Sequence, residues 1–512
     1  MPTSSLAAVL IVLLLVLSGC GPNAAPAPTG TSKITRGAKS AGKSRPPVSK
    51  SAVSVEAGTD PAAEERRAAD AENRPASTAA TNEISPADPA PPRQRPPDRR
   101  LRPDDDALVV RKIHRYESRR LILYSDIASD KAESIPPLID QLYEALVAYF
   151  GPLPLAEDGS EFQMTGYIMA DPTRFRASGV LPEDLPGFLH GRHRGLEFWM
   201  NEQPSDYYRG HLACHEATHC FMTITPQPMI DQVWYLEGMA ELFGTHRLAD
   251  GQFTFRWYPD AKEAVPGLGR IRLIQDADRE DRGRSFTQVL ALQPPDFLRN
   301  EAYAWSWAVC QFLDHHPHYR QRFREQISRI DPSNSAASFE RLYQSDGRDL
   351  AQEFALFRRE ICHGYDFERS AIAFGTGRPL TVGAPPKKLR VEAERGWQAS
   401  GVLVEQGEWY ELRATGSFTI ARTEEDWISE PQGVSIRYYR GRPLGQLIGT
   451  IREEDGLSPA QPESMQTLIA IGPQARFQAP LTGTLYLRLN DAPNELHDNS
   501  GAVQVQISHG QP

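Results

Sequence analysis

Apolar positions change texture several times along this chain, and each change marks a different kind of segment. Leu6 to Leu17 is an unbroken apolar run, too short to span a bilayer as a stable anchor. From Gly21 to about Asp106, large apolar and aromatic residues nearly vanish among Pro, Ala, Ser and Thr. Such a stretch buries too little to offset its ordering entropy, so a disordered tether is expected. Order is expected from Ala107. Leu108 to Ile113, Arg119 to Tyr124, Phe162 to Met169 and Gly195 to Met200 read as strands, while Ile135 to Phe150 carries apolar residues at helical spacing and stops at Gly151-Pro152. Leu212 to Thr225, free of Gly and Pro, predicts a helix, and a second helical stretch follows through Trp234 to Phe243. Beyond it come a hairpin-like piece, Gly251 to Tyr258, a polar excursion, Asp276 to Arg284, and a helix with an aromatic and aliphatic face, Tyr303 to Leu313. Residues 320–365 look helical and charged.

A Gly/Pro-rich stretch from Gly375 then introduces alternating segments at Gly401 to Glu405, Trp409 to Ala414, Gly433 to Tyr439, Gln446 to Ile451, Thr467 to Ile471, Gly483 to Leu489 and Val503 to Ile507. Period-two strands with turn residues between them predict an antiparallel sandwich. The expected layout is therefore a signal segment at 1–20, a tether at 21–106, an α+β domain at 107–374, a linker at 375–388 and an all-β domain at 389–512.

Charge and the N-terminus add a location. The net charge of −10 favours solubility and argues against nucleic acid as a partner. Leu17-Ser18-Gly19-Cys20 resembles the lipobox of bacterial lipoproteins, which implies acylation of Cys20, a membrane attachment through lipid and a bacterial cell-envelope location, periplasmic or outer-membrane. Met1 to Ser5 lack Lys and Arg, a departure that leaves an ordinary or uncleaved signal peptide as the other reading. Lys33 to Lys50 holds six basic residues and no acids, either a patch for an anionic envelope surface or a solvated linker.

Chemistry concentrates in His211-Leu-Ala-Cys-His215-Glu216-Ala-Thr-His219-Cys220 and Trp234-Tyr-Leu-Glu237-Gly-Met-Ala-Glu241. Two histidines four apart lie on one helix face, so both imidazoles can reach one tetrahedral ion, and Glu216 is turned enough to miss the ion yet reach a water bound to it. Glu237, on the second helix, supplies a third ligand and leaves the fourth corner open. Glu241 stands four residues on, placed to accept the free ring N–H of a ligating histidine.

This pattern resembles the gluzincin peptidases, closest to the peptidase-MA-like proteins of bacterial envelopes. The resemblance implies a zincin-like fold with His215, His219 and Glu237 as Zn2+ ligands, Glu216 as general base and Glu241 behind them. It implies a peptide or protein substrate held against an edge strand, for which Gly195 to Met200 is the candidate, the other reading being a scaffold strand pair. It also makes Tyr303 a candidate donor to the developing oxyanion, with core packing as the alternative. Leu236 stands where the aminopeptidases of this group carry Asn, so aminopeptidase specificity does not follow.

The remaining motifs are less tied to one chemistry. Cys214 and Cys220, six apart on a helix, point differently and read as packing residues, while Cys310 and Cys362 could pair in an oxidising envelope. His315, His316 and His318, broken by Pro317, read as a helix C-terminus rather than a second metal site. In Asn490 to Gly501, hard oxygen donors gather on one loop between strands, which suits Ca2+, or else forms a polar turn with Asx caps. With Gly407 to Gly416 upstream, this loop is similar to the galactophilic calcium-dependent (PA-IL-like) lectins. That resemblance implies side-chain ligands from Asp491, Asp498 and Asn499, carbonyls from Glu495 and near Ile420, and a glycan partner. Asp498 stands where an Asn is usual, and the sugar-contacting His and Gln of those lectins have no secure counterparts. The expected protein is an envelope-anchored zinc metallopeptidase. Its rivals are a carbohydrate-binding surface protein on an inert peptidase scaffold, and a structural protein in which zinc staples two helices.

Overall fold

A computed structural model describes residues 94–95, 97–98, 100, 102–225, 230–267, 269–325, 331, 334–453 and 464–511. The apolar run, Cys20, the basic stretch and the tether through residue 93 lie outside the described residues.

The end of the expected tether is built into the fold. Arg95 forms a backbone bridge with Ala156, and the Arg100 guanidinium donates to the carbonyls of Gln163 (2.6 Å) and Leu196 (2.7 Å). These anchors are polar, so the apolar pattern does not announce them. The expected strand from Leu108 is instead helix α1 (Asp105–Val110), whose first N–H groups are accepted by the Asp104 side chain while Asp105 and Asp106 favour its N-terminal dipole. A short apolar run fits either element, and here capping decides.

The chain continues through β1 (His114–Glu117), β2 (Leu121–Ser125), α2 (Ser129–Glu133), α3 (Ile135–Phe150), β3 (Met164–Met169), α4 (Pro172–Ala177), β4 (Gly191–Arg194) and β5 (Glu197–Asn201). These strands form one sheet in the order β1-β2-β3-β5-β4, with β2, β3 and β5 parallel and β1 and β4 antiparallel at the two edges. The edge beside the helices is thus β4, not the expected segment Gly195 to Met200. Gly195, at φ 62°, turns the chain so that β5 folds inward behind β4.

Strand alternation divides the sheet's burial. Leu121, Leu123, Met164, Ile168, Phe198 and Met200 join the helical core, whereas Ile122, Tyr124, Tyr167, Met169 and Trp199 face α1 and α4. The near-parallel stack of Tyr167 on Trp199, 5.3 Å apart, belongs to the second face.

Above the first face lie α5 (Asp206–Ile224) and α6 (Val233–Gly244), followed by the hairpin β6 (His246–Ala249) and β7 (Gln252–Phe255), then α7 (Gly269–Arg279), α8 (Phe286–Leu290), α9 (Asn300–His315), α10 (Arg320–Glu325), α11 (Ser335–Tyr343), α12 (Gly347–Glu360) and α13 (Phe367–Ser370). Gly238 marks where α6 crosses α9. A Cβ there would meet Cys310 Sγ at 2.6 Å and the Ser306 carbonyl at 2.8 Å, which accounts for glycine directly after Glu237.

The C-terminal half is built of β8 (Arg378–Pro379), β9 (Lys387–Glu392), β10 (Gln398–Val404), β11 (Trp409–Thr415), β12 (Phe418–Arg422), β13 (Asp426–Ser429), β14 (Val434–Tyr439), β15 (Arg442–Leu444), β16 (Leu447–Arg452), β17 (Ile469–Ala470), β18 (Gln474–Gln478), β19 (Gly483–Leu489) and β20 (Ser500–His509). One sheet runs β17-β16-β19-β10-β8 and the other β13-β12-β20-β11-β18, with β9 also paired to β20. Val402, Leu447, Leu485 and Leu487 of the first meet Tyr410, Leu412, Ile420 and Val505 of the second in one core.

Within the expected linker 375–388, the two-residue β8 pairs in parallel with β10, and Gly377 N–H donates to Thr484 Oγ1 at 2.8 Å. Helical and β parts share a cluster of Leu356, Ile372, Phe374, Trp397, Ile448 and Tyr486, and Arg488 is buried against Glu360 at 3.2 Å. Cys214, Cys220, Cys310 and Cys362 are all free thiols, so Cys310 and Cys362 do not pair. Among the described residues no helix is long and apolar enough to cross a membrane.

Candidate metal centre

Helix α5 begins where Ser205 accepts from Tyr208 N–H, and its N-terminal end is fixed by Arg209, buried and paired with both Glu202 and Asp206. From Arg209 to Met222 every residue is buried, sandwiched between the sheet, α3 and α6. The helix ends at Thr225, the residue before Pro226 in the sequence, as proline disfavours helix in its predecessor.

The structure brings the expected ligands together. His215 Nε2 and His219 Nε2 lie 3.2 Å apart, and Glu237 Oε2 stands 3.3 Å from the first and 3.4 Å from the second. A tetrahedral ion with bonds of about 2.0–2.1 Å requires ligand atoms about 3.3 Å apart, so this nearly equilateral triangle fits such an ion. All three side chains are buried. Burial opposes charge on Glu237, but the two imidazoles outweigh it and hold the carboxylate down at about 2. Burial likewise opposes protonation of His215, and the carboxylates of Glu237 and Glu241 overcome it, raising its proton affinity well above the ordinary histidine range.

Glu241 takes the expected place behind His215, with Oε1 3.3 Å from Nδ1. Sequence reasoning missed what holds Glu241. Arg270, at the start of α7, donates from Nε to Oε2 (2.8 Å) and from Nη2 to Oε1 (2.6 Å), and His211 Nε2 lies 3.2 Å from Oε2. Against the cost of burial, Arg270 and His211 keep this carboxylate well below its usual range. His211, four residues before His215, was legible as a third step of the same helical stripe. Arg270, 29 residues beyond Glu241, left no pattern to read.

Glu216 lies where α5 meets β4. It is buried, its Oε1 has no hydrogen-bond partner among the described residues, and its Oε2 is 3.6 Å from His193 Nδ1 on β4. Gly191, two residues earlier on that strand, lets the backbone press on the carboxyl, since a Cβ there would stand 2.4 Å from Oε1. Tyr303 is fully buried in α9, its ring 6.2 Å from that of His215 and edge-on to Phe297 at 5.0 Å. Tyr303 thus packs in the core, as the alternative reading has it, with its ring near that of His215.

A second group could hold a metal ion by distance alone: His316, His318 and Glu353, whose ligand atoms lie within 4.8 Å of one another. His315 ends α9, as expected, but His316 and His318 converge on α12, which sequence spacing did not indicate. Glu353 accepts from Ile372 N–H at 2.8 Å and from Tyr319 Oη, and His316 Nδ1 accepts from His318 N–H at 3.3 Å. That bond leaves the His316 proton on Nε2, facing Glu353 Oε1 at 3.4 Å, so the group is knit by hydrogen bonds around a buried carboxylate.

In the C-terminal loop, Asp491 and Asn499 touch, with Asn499 Nδ2 donating to Asp491 Oδ2 at 2.8 Å, while Asp498 Oδ2 accepts from Arg422 N–H at 3.1 Å. Asp498 Oδ1 and Asn499 Oδ1 are buried acceptors with no hydrogen-bond partner among the described residues. Glu495 is drawn outward to Arg437.

No family model and no curated protein matches the chain. Among solved structures, the EclA N-terminal domain, described as a PllA-like lectin, is similar over 24% of this chain and 95% of its own, with 20% identity and a TM-score of 0.19. The PliG protein of Aeromonas hydrophila, a periplasmic inhibitor of g-type lysozyme, is similar over 26% of this chain and 96% of its own, with 8% identity and a TM-score of 0.16. Neither likeness assigns a fold or a role to any residue of this chain.

Proposed function

We propose that this protein is an envelope-anchored, zinc-dependent peptidase. The triangle of His215, His219 and Glu237, with Glu216 beside it and edge strand β4 alongside, carries that reading. A bound zinc ion would supply Lewis acidity and lower the pKa of its water. Glu216 is the group to take that water's proton and return it to the leaving amine. The outer edge of β4, unpaired in the sheet order, offers backbone groups to an extended peptide. Glu241, clamped by Arg270 and His211, fixes the His215 ring through Nδ1. Tyr303 would donate to the oxyanion if it swings from its packed position. Acylation at Cys20 would tether the whole to a membrane.

The test is Glu216→Gln in the full chain. It should keep its metal and lose chelator-sensitive cleavage of a mixed peptide library; cleavage at the wild-type rate would reject the role given to Glu216.

A second reading is favoured by the unfilled acceptors of Asp498 and Asn499: a calcium-dependent glycan-binding module, with the peptidase scaffold inert. Calcium-dependent binding on a glycan array, with no peptide cleaved in the presence of zinc, would select it.

A further inference from the structure

We propose that His193 is a positioning residue for Glu216, orienting its carboxylate toward the open side of the metal triangle. The chemical meaning of this inference rests on the peptidase reading above. Successive side chains of a strand point to opposite faces, so Gly191 and His193 share the face of β4 turned toward α5. The two act on opposite oxygens of one carboxyl. Gly191 leaves the space that Oε1 occupies, and His193 places Nδ1 3.6 Å from Oε2. That separation is longer than a hydrogen bond, a near contact of the kind that closes when substrate arrives.

The His193 ring is itself aimed. It lies on the His219 ring, with centroids 4.5 Å apart and planes 19° apart, and its backbone is in register with Phe198 of β5, whose side chain is fully buried. A side chain held by a strand on one side and a stacked ligand on the other has little freedom, so its Nδ1 is presented to Glu216 at small entropic cost. Among the described residues Glu216 Oε1 has no hydrogen-bond partner, so the contact at Oε2 carries more of the carboxylate's orientation. The edge strand that would carry a peptide thereby also sets the base that would act on it.

The test uses the full chain, loaded with zinc for turnover and with cobalt for binding of acetohydroxamate read by the visible spectrum. His193→Ala should retain the metal of the His215 site and lower kcat about 10- to 100-fold, with most of the loss in kcat rather than KM. His193→Asn, whose amide nitrogen takes the place of Nδ1, should recover most of it, while His193→Gln, which mimics Nε2, should not. In a Glu216→Gln background, His193→Ala should cause no further loss of acetohydroxamate affinity. Loss of metal in the Ala variant, equal defects in the Ala, Asn and Gln variants, or additive effects of His193→Ala and Glu216→Gln would each overturn the inference. If the wild type cleaves no peptide while the two residues remain coupled in acetohydroxamate binding, the peptidase reading fails and the positioning contact stands. A cleaving wild type with uncoupled residues gives the reverse.

Discussion

Arg270 grips Glu241 with two hydrogen bonds, at 2.6 and 2.8 Å, across 29 residues of sequence, and the same carboxylate faces Nδ1 of His215 at 3.3 Å. One arginine thus holds the carboxylate that faces a candidate metal ligand. Arg270→Met should weaken metal affinity about 10- to 100-fold, since the carboxylate is then free to turn from the ring. It should also destabilise the fold by about 3 kcal/mol, the order expected when a buried charge loses its partner. Competition with a chromophoric chelator and urea unfolding measure the two; unchanged metal affinity would show that His211 alone suffices.

Gly191 offers a cleaner separation of catalysis from metal binding. Gly191→Ala puts a methyl group 2.4 Å from Glu216 Oε1, and the neighbour that must move is the carboxyl. Metal content should stay at the wild-type level while kcat falls by about 10²-fold, the scale of a misplaced general base. An active alanine variant would mean that Glu216 has room elsewhere and that its position is not set by β4.

How much of this was legible in the residues follows from the range of the forces involved. The placing of His215 with His219 and of Glu237 with Glu241 on one face each rests on helical periodicity, a local rule, and these four side chains come together. The helix Ile135–Phe150 was legible to its last residue for the same reason. What stayed hidden was set by long-range partners: Arg270 on Glu241, His193 on Glu216, and Glu353 on His316 and His318. The edge strand was misplaced by one hairpin arm because β4, Gly-Arg-His-Arg, has no large apolar residue, while Phe198 to Met200 is an apolar run. Arg95 and Arg100 join the fold through carbonyls, which composition cannot reveal.

Glu353 makes a prediction about pH. Burial would raise its pKa, but the hydrogen bonds from His316, His318 and Tyr319 outweigh it and hold it at about 2, below the ordinary 4.5. The hydrogen bond to Glu353 raises His318 above its ordinary 6.5, with the nearby Asp346 and Asp349 adding to the effect. A depressed carboxylate contributes stability that is present above its unfolded pKa and lost as pH falls through the folded one; a raised histidine contributes stability that is present below its unfolded pKa and lost as pH rises through the folded one. The group should therefore stabilise the fold most between about pH 5 and 6. In urea unfolding, the gap between wild type and Glu353→Gln should be widest there and shrink toward both pH 2.5 and pH 9, whereas a constant gap would exclude the linkage.

Asp491 runs the other way. Burial raises its carboxyl to about 6, against the hydrogen bonds from Asn499 and Ala492 that favour the charged form. A carboxyl whose folded pKa is raised contributes stability that is full below about pH 4 and lost as pH rises through 6. Calcium held by the Asp491 to Asn499 loop would reverse that loss by pairing the charge. At pH 7.5, calcium should raise the Tm of the wild type by several degrees and leave Asp498→Ala unmoved. An equal shift in both would place the ion elsewhere.

The most direct measurement is an anomalous difference map, at the zinc absorption edge, from crystals of the full chain grown with zinc. A single peak about 2.0–2.1 Å from His215 Nε2, His219 Nε2 and Glu237 Oε2, with Glu216 facing its fourth corner, is the predicted result. No peak at that triangle, or a peak only at His316, His318 and Glu353, would contradict it.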